Sequence, residues 1–275
     1  MNAHIPITTS RKISLSLCET HSHGALSYLE MGRVDGPCVV FIHGFGADLL
    51  TWQLCLVPLA AQYRLIALDL PGHGRSSPDV GSATLEFMTG WLDETFTALN
   101  ISEAHIVGHS MGAKIALGFV LSHPHRVASL SLISPAGLGG EFHHETLDIY
   151  LNAQTEEACE TLARHLLGPA GQNLVPALTK ALFEAAREPQ RAKALVDLLG
   201  NAKTYGLALS PEGFDWRHVR CPVQILWGDH DRLIPLPDAH RLPKSAPFHL
   251  ISGAGHLPHM ESSAAVVAHL KAFLP

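Results

Sequence analysis

The chain has no excess of positive charge. Across 275 residues, 19 Lys and Arg stand against 25 Asp and Glu, a formal net charge of −6 with His neutral. No run of basic residues compensates locally. Such a surface has little with which to neutralise phosphates, which argues against a general nucleic-acid or anionic-membrane binder. No apolar stretch approaches the ~20 residues that a membrane-spanning helix needs. Met1 to Lys12 are polar and lack the apolar segment of a secretory signal. Cysteine is sparse: Cys18, Cys38, Cys55, Cys159 and Cys221 make an odd set with no C-x-x-C pair. That pattern points to reduced thiols and a cytoplasmic protein. Neither G-x-G-x-x-G nor P-loop spacing occurs, so no nucleotide cofactor is expected. Histidine is plentiful, at 19. Yet His143-His144 and His123-Pro124-His125 lack the companion spacing of a zinc site, and no metal is expected.

What is present is an alternation of short apolar runs and helical patterns. Ile13–Cys18 and Ala25–Met31 read as antiparallel strands joined by a polar turn. Cys38–Ile42, Arg64–Asp69, Ala104–Val107, Val127–Ile133, Val223–Trp227 and Phe248–Ile251 read as further strands. Leu49–Ala61, Leu85–Leu99 and Met111–Leu121 carry helical spacing between them, and Val266, Val267, Leu270 and Phe273 mark a final helix. The strand runs are continuously aliphatic rather than alternating, as expected of strands buried on both sides. The fold class is α/β, with a mostly parallel sheet and helices on both faces. From 139 to 213 the texture changes to leucine stripes, Leu162/Leu166/Leu167, Leu174/Leu178/Leu182 and Leu195/Leu198/Leu199, with no convincing strand. This segment reads as a helical cap inserted into a core formed by 1–138 and 214–275.

Gly108-His109-Ser110-Met111-Gly112 lies where a strand meets a helix. A serine flanked at two positions on each side by glycine suits a turn too tight for side chains, which lifts its hydroxyl above the sheet. Chance would supply such a pattern about 0.1 times in a chain of this length, and helix capping is the bland alternative for Ser110. Other strand ends carry matching chemistry. His43-Gly44-Phe45-Gly46 follows an earlier strand, Gly228-Asp229-His230-Asp231 a later one, and Gly255-His256 the last. In open α/β sheets, reactive groups gather beyond the carboxyl ends of the strands. A serine hydroxyl needs an imidazole to take its proton, and His256 can do so. A carboxylate, from Asp229 or Asp231, would hold that imidazole in one tautomer. The backbone N–H groups of Phe45 and Met111 are candidates to meet the growing oxyanion; losing one such donor typically costs ~2.7–4 kcal/mol. Asp69 is the reserve acid. His43 reads as a brace for the oxyanion loop, His73 as structural, His109 as turned away from the serine, and His259 as a cap or cover for the last helix.

These pieces, together with Asp69-Leu70-Pro71-Gly72-His73-Gly74-Arg75-Ser76 and Trp227-Gly228-Asp229-His230-Asp231, resemble the α/β-hydrolase superfamily over most of the chain. The resemblance implies that Asp231 is the acid, three residues after the glycine of the Trp-Gly pair. It implies a Ser110–His256–Asp231 serine hydrolase with a small-molecule acyl substrate held under the cap against Phe45, Met111, Leu138 and Leu257. The expected substrate is a small or medium apolar acyl ester or thioester. Ile133-Ser134-Pro135-Ala136-Gly137-Leu138-Gly139 and Gly44-Phe45-Gly46-Ala47-Asp48 are similar to the hydrolase-like domain of acetoin dehydrogenase acetyltransferase components. On that reading the acyl acceptor is a dihydrolipoyl thiol on another protein. The carbon–carbon bond hydrolases of aromatic ring-cleavage products share the cap, but they carry Trp where Leu257 stands and Asn where His109 stands. A slow or non-catalytic receptor of this fold is the alternative of another class. Nothing in the residues sets the oligomeric state.

Overall fold

The computed structural model describes residues 12–20, 23–138, 149, 152–205, 214–238 and 241–275. His143 and His144 lie outside them, as do both ends of the 139–213 segment. The strands are β1 (Lys12–Thr20), β2 (Gly24–Gly32), β3 (Cys38–Ile42), β4 (Arg64–Leu68), β5 (Ala104–His109), β6 (Val127–Ile133), β7 (Val223–Gly228) and β8 (Phe248–Ile251). They form one sheet in the order β1-β2-β4-β3-β5-β6-β7-β8. β2 runs antiparallel to both β1 and β4. From β4 to β8 every neighbouring pair is parallel.

The continuous apolar runs have a direct cause. Successive side chains of a strand point to opposite faces, and here both faces are covered. Val40, Ile42, Ile66, Ile106, Leu132 and Ile225 share one buried cluster with α2 (Leu85–Ala98) and α3 (Met111–Ser122). Val39, Phe41, Leu65, Val107, Ile133 and Leu226 share the other with α1 (Gln53–Leu59) and, later in the chain, the Ser263–Phe273 helix. Thr84 caps α2, its side chain accepting from the Phe87 N–H. Between β6 and β7 come α4 (Glu156–Leu166), α5 (Val175–Ala186) and α6 (Pro189–Tyr205). Leu162, Leu166, Leu167 and Leu182 form a separate cluster there, while Leu195 and Leu198 of α6 join the main core, the cluster that also holds Met111.

Two expectations are refined, and one element is added. Leu49–Ala61 is split into a 3-10 turn, Leu49–Trp52, and α1. The Asp48 side chain accepts from Leu50 N and the Asp69 carboxylate from Leu49 N, which tightens the first turn. The final helix marked by Val266, Val267, Leu270 and Phe273 is α8 (Ser263–Phe273), and a short α7 (Pro258–Glu261) precedes it, separated at Ser262, whose backbone leaves the helical region at φ −135° and ψ 47°. β8 is not buried on both sides. Among the described residues it pairs with β7 alone at the sheet edge, leaving Phe248 36% and Leu250 52% exposed.

Candidate active site

β5 ends at His109, and the chain turns into α3 through Ser110, whose backbone sits at φ 52° and ψ −114°. A positive φ at a non-glycine residue costs on the order of 1–3 kcal/mol and persists only where its surroundings enforce it. The flanking glycines are the enforcement. A Cβ at Gly108 would lie 2.6 Å from Ala113 Cα, and one at Gly112 would lie 2.3 Å from the Ile42 carbonyl oxygen. Ser110 occupies the N-cap position of α3, yet its side chain makes no capping bond. The bland alternative of a capping serine therefore does not describe this hydroxyl.

Ser110 Oγ instead lies 3.0 Å from His256 Nε2, and His256 Nδ1 lies 2.8 Å from Asp231 Oδ2. A carboxylate can only accept, so Nδ1 carries the proton and Nε2 presents its lone pair to the serine O–H. The side chains of His256 and Asp231 are 4% and 0% exposed. Asp231 Oδ1 accepts from the Leu233 and Ile234 N–H groups, and Trp227 Nε1–H ties the same loop by donating to the Ile234 carbonyl.

The other acids are engaged elsewhere. Asp229 Oδ1 accepts from Gly253 N and lies beside His230 Nδ1. Burial pushes its pKa up, but these bonds outweigh that and hold it low. Both Asp69 oxygens are taken, by Leu49 N at 2.8 Å and Arg75 N at 3.0 Å.

The loop after β3 is held by two histidines. His43 Nδ1–H donates to the Gly44 carbonyl while its Nε2 accepts from Leu70 N. His73 Nδ1–H donates to the Pro71 carbonyl while its Nε2 accepts from Gly46 N. Burial depresses both pKa values and keeps the rings neutral, as this pattern of one donor and one acceptor requires. The loop so held carries Phe45. Met111 opens α3, so its N–H has no acceptor within the helix. Leu138 exposes none of its surface and lies in the cluster that contains Met111, whereas Leu257 belongs to the cluster of α4 and α5.

Three contributions escape a sequence reading. The His109 ring is tied not to Ser110 Oγ but to His256, for its Nε2–H donates to the His256 carbonyl at 2.8 Å. Its Nδ1 is buried without a hydrogen-bond partner. Arg191 of α6 donates to the Gly46 and Ala47 carbonyls at 3.1 and 3.2 Å, gripping the loop that bears Phe45. Glu261 accepts from three backbone N–H groups around His256. Each partner lies far off in sequence or on an irregular loop, where no periodicity announces it. His259 departs from its expected place over the last helix. It is wholly buried, its Nε2 lying 2.8 Å from Thr51 Oγ1 and its ring packed on Trp52 and His109.

A cavity of about 60 Å³ lies among the inserted helices, walled by Ala153, Leu162, Leu182, Ala185, Leu195 and Val196. Cys38, Cys55, Cys159 and Cys221 are free thiols, and burial raises Cys38 and Cys221 to about 11 and Cys55 to about 12. None of these three is a thiolate nucleophile at neutral pH. Among the described residues no cluster of His, Cys, Asp and Glu could hold a metal ion. No helix of theirs is long and apolar enough to cross a membrane.

A family model described as the alpha/beta hydrolase fold matches residues 37–263. The chain is 34% identical over 236 residues to the dihydrolipoyllysine-residue acetyltransferase component of the acetoin cleaving system of Cupriavidus necator, a match covering 86% of this chain and 63% of that protein. It thus spans less than two thirds of that relative's length. It is 27% identical over 257 residues to a 2-hydroxy-6-oxo-6-phenylhexa-2,4-dienoate hydrolase of Comamonas testosteroni, covering 86% of this chain and 87% of the other. Among solved structures, a membrane phospholipase A described as a bacterial virulence factor matches with a TM-score of 0.84 and 27% identity, over 95% of this chain and 86% of that one. With the strand order, the turn at Ser110 and a family match over most of its length, the chain belongs to the α/β hydrolase fold family.

Proposed function

We propose that this protein is a serine hydrolase that cleaves a small or medium apolar acyl ester or thioester through an acyl-serine intermediate. The observation that carries the reading is the unbroken line Ser110 Oγ, His256, Asp231 at 3.0 and 2.8 Å, with the serine in a strained turn. Ser110 Oγ attacks the substrate carbonyl carbon while its proton passes to His256 Nε2. The carbonyl oxygen becomes an oxyanion, met by the N–H groups of Phe45 and Met111. The bond to the leaving alkoxide or thiolate then breaks, and His256 returns the proton to it. Water repeats the sequence on the acyl-serine: His256 takes its proton, the acid forms, and Ser110 regains its hydrogen.

Residues 139–213 serve as a cap over this site. Arg191 supports that role by fastening α6 to the loop that bears Phe45. Cys38, Cys55, Cys159 and Cys221, all free thiols, support a reducing compartment such as the cytoplasm.

Acyl transfer is the second reading, favoured by the 34% identity to an acetyltransferase component. There a dihydrolipoyl thiol, rather than water, would take the acyl group. A panel of p-nitrophenyl esters of increasing chain length decides between them, run with and without dihydrolipoamide beside a ring-cleavage dienoate. Hydrolysis falling off beyond medium chains supports the hydrolase. Release of p-nitrophenol that depends on dihydrolipoamide and yields its thioester supports the transferase. Turnover of the dienoate far above every ester would overturn both.

A further inference from the structure

The loop that presents His256 leaves β8 and passes through Ser252, Gly253, Ala254 and Gly255. Such a loop has few ladder bonds of its own, yet the base on it must sit within a few tenths of an ångström of its place. Three consecutive amides show how it is held. Gly255 N donates to Glu261 Oε1 at 2.8 Å, His256 N to the Leu166 carbonyl at 2.8 Å, and Leu257 N to Glu261 Oε1 at 3.1 Å. The second carboxylate oxygen faces the other way. Glu261 Oε2 accepts from Gly168 N, just past the end of α4, at 2.7 Å. Ala170 N completes the seam by donating to the Gly253 carbonyl at 2.8 Å. The two backbones are in contact: a Cβ at Gly168 would lie 2.4 Å from the Gly253 carbonyl oxygen, and one at Gly255 would lie 2.5 Å from the Leu166 carbonyl oxygen.

We infer that Glu261 is a positioning residue for the base, joining the inserted helices to the His256 loop so that His256 meets Ser110 only while that seam is closed. This rests on the serine-hydrolase reading above. One carboxylate serves both sides because each oxygen is committed to a different one: Oε1 to the loop, Oε2 to the insertion. Burial raises the Glu261 pKa, while the bonds to Gly255, Gly168 and Leu257 and the nearby His256 oppose that. A half-buried carboxylate whose side-chain hydrogen bonds among the described residues all come from backbone N–H groups is spent on geometry rather than on an ion pair.

The test is Glu261→Gln in the full chain. Glutamine has the same shape but one acceptor oxygen, and its amide N–H₂ cannot accept, so one side of the seam loses its partner. Wild type and variant are compared for labelling by a fluorophosphonate and for kcat and KM on p-nitrophenyl butyrate, with the melting temperature as a fold control. We expect kcat and the labelling rate to fall about 10- to 100-fold, as for an ångström-scale misplacement of a catalytic group, while KM stays within about threefold. A folded variant with wild-type kcat, or with only KM changed, overturns the inference and leaves the serine-hydrolase reading intact. A wild type that does not label overturns that reading and this inference with it. If the variant does not fold, amide exchange in the wild type decides. Slow exchange at Gly168, Gly255 and Leu257 together supports the seam, and exchange at the rate of exposed amides at any of them overturns it.

Discussion

His43, His73, His109, His256 and His259 are all buried around one serine. Burial depresses the pKa of His43, His73, His109 and His259, the last to about 3. For His259 the sign is clear. The unfolded chain takes up the proton near 6.5, whereas the folded one stays neutral until about 3. Its contribution to stability is therefore full above pH 6.5 and is lost as pH falls from there toward 3. One such proton gives a slope of at most about 1.4 kcal/mol per pH unit. Urea midpoints across this window should fall with decreasing pH, and His259→Gln should make the fall shallower. An unchanged slope in the variant would show that His259 protonates as easily folded as unfolded. The residue types and their order were legible in the sequence, since Ser110, Asp231 and His256 each stand at a strand end. The braces were not. His109 meets a carbonyl 147 residues away, and only the folded sheet brings them together.

At the scale of the element, α3 is the critical one, because its first turn carries both Ser110 and the Met111 N–H. It can lie that close to β3 only because Gly112 has no side chain, a Cβ there falling 2.3 Å from the Ile42 carbonyl oxygen. Gly112→Ala should cost about 1–3 kcal/mol through overpacking and lower kcat on p-nitrophenyl esters. Gly90, on the exposed face of α2 with open space around its Cβ, is the control. Gly90→Ala should stabilise by roughly 0.5–1 kcal/mol from helix propensity alone, with kcat unchanged. Equal effects at the two sites, read by thermal melts and steady-state rates, would mean that the approach of α3 to β3 does not matter. The central strands were legible because both of their faces are buried. β8 misled because its short apolar run looks like theirs, and only the sheet order makes it an edge. The split at Gln53 was hidden for a similar reason, since amphipathic spacing continues across the change from 3-10 to α-helix.

Across the whole molecule, two buried clusters hold the sheet and a third holds the inserted helices, and the candidate site lies where all three approach. Met111 belongs to the first, Ala254 of the His256 loop to the second and Leu257 to the third. That meeting explains why the strand-end residues of the candidate site were more legible than any pocket beside them. The former stand in a fixed order along the chain, whereas a pocket follows from how leucine stripes of the insertion pack on one another. Stripes of leucine state that helices pack, not what cavity they leave. Whether Ser110 is the nucleophile is decided by intact mass after treatment with a fluorophosphonate, followed by peptide mapping. We expect one adduct, on Ser110, absent in Ser110→Ala and formed far more slowly in Asp231→Asn than in Asp69→Asn or Asp229→Asn, provided each folds. Folded wild-type protein that takes no adduct, or Ser110→Ala that takes it as readily, would show that Ser110 does not carry the chemistry.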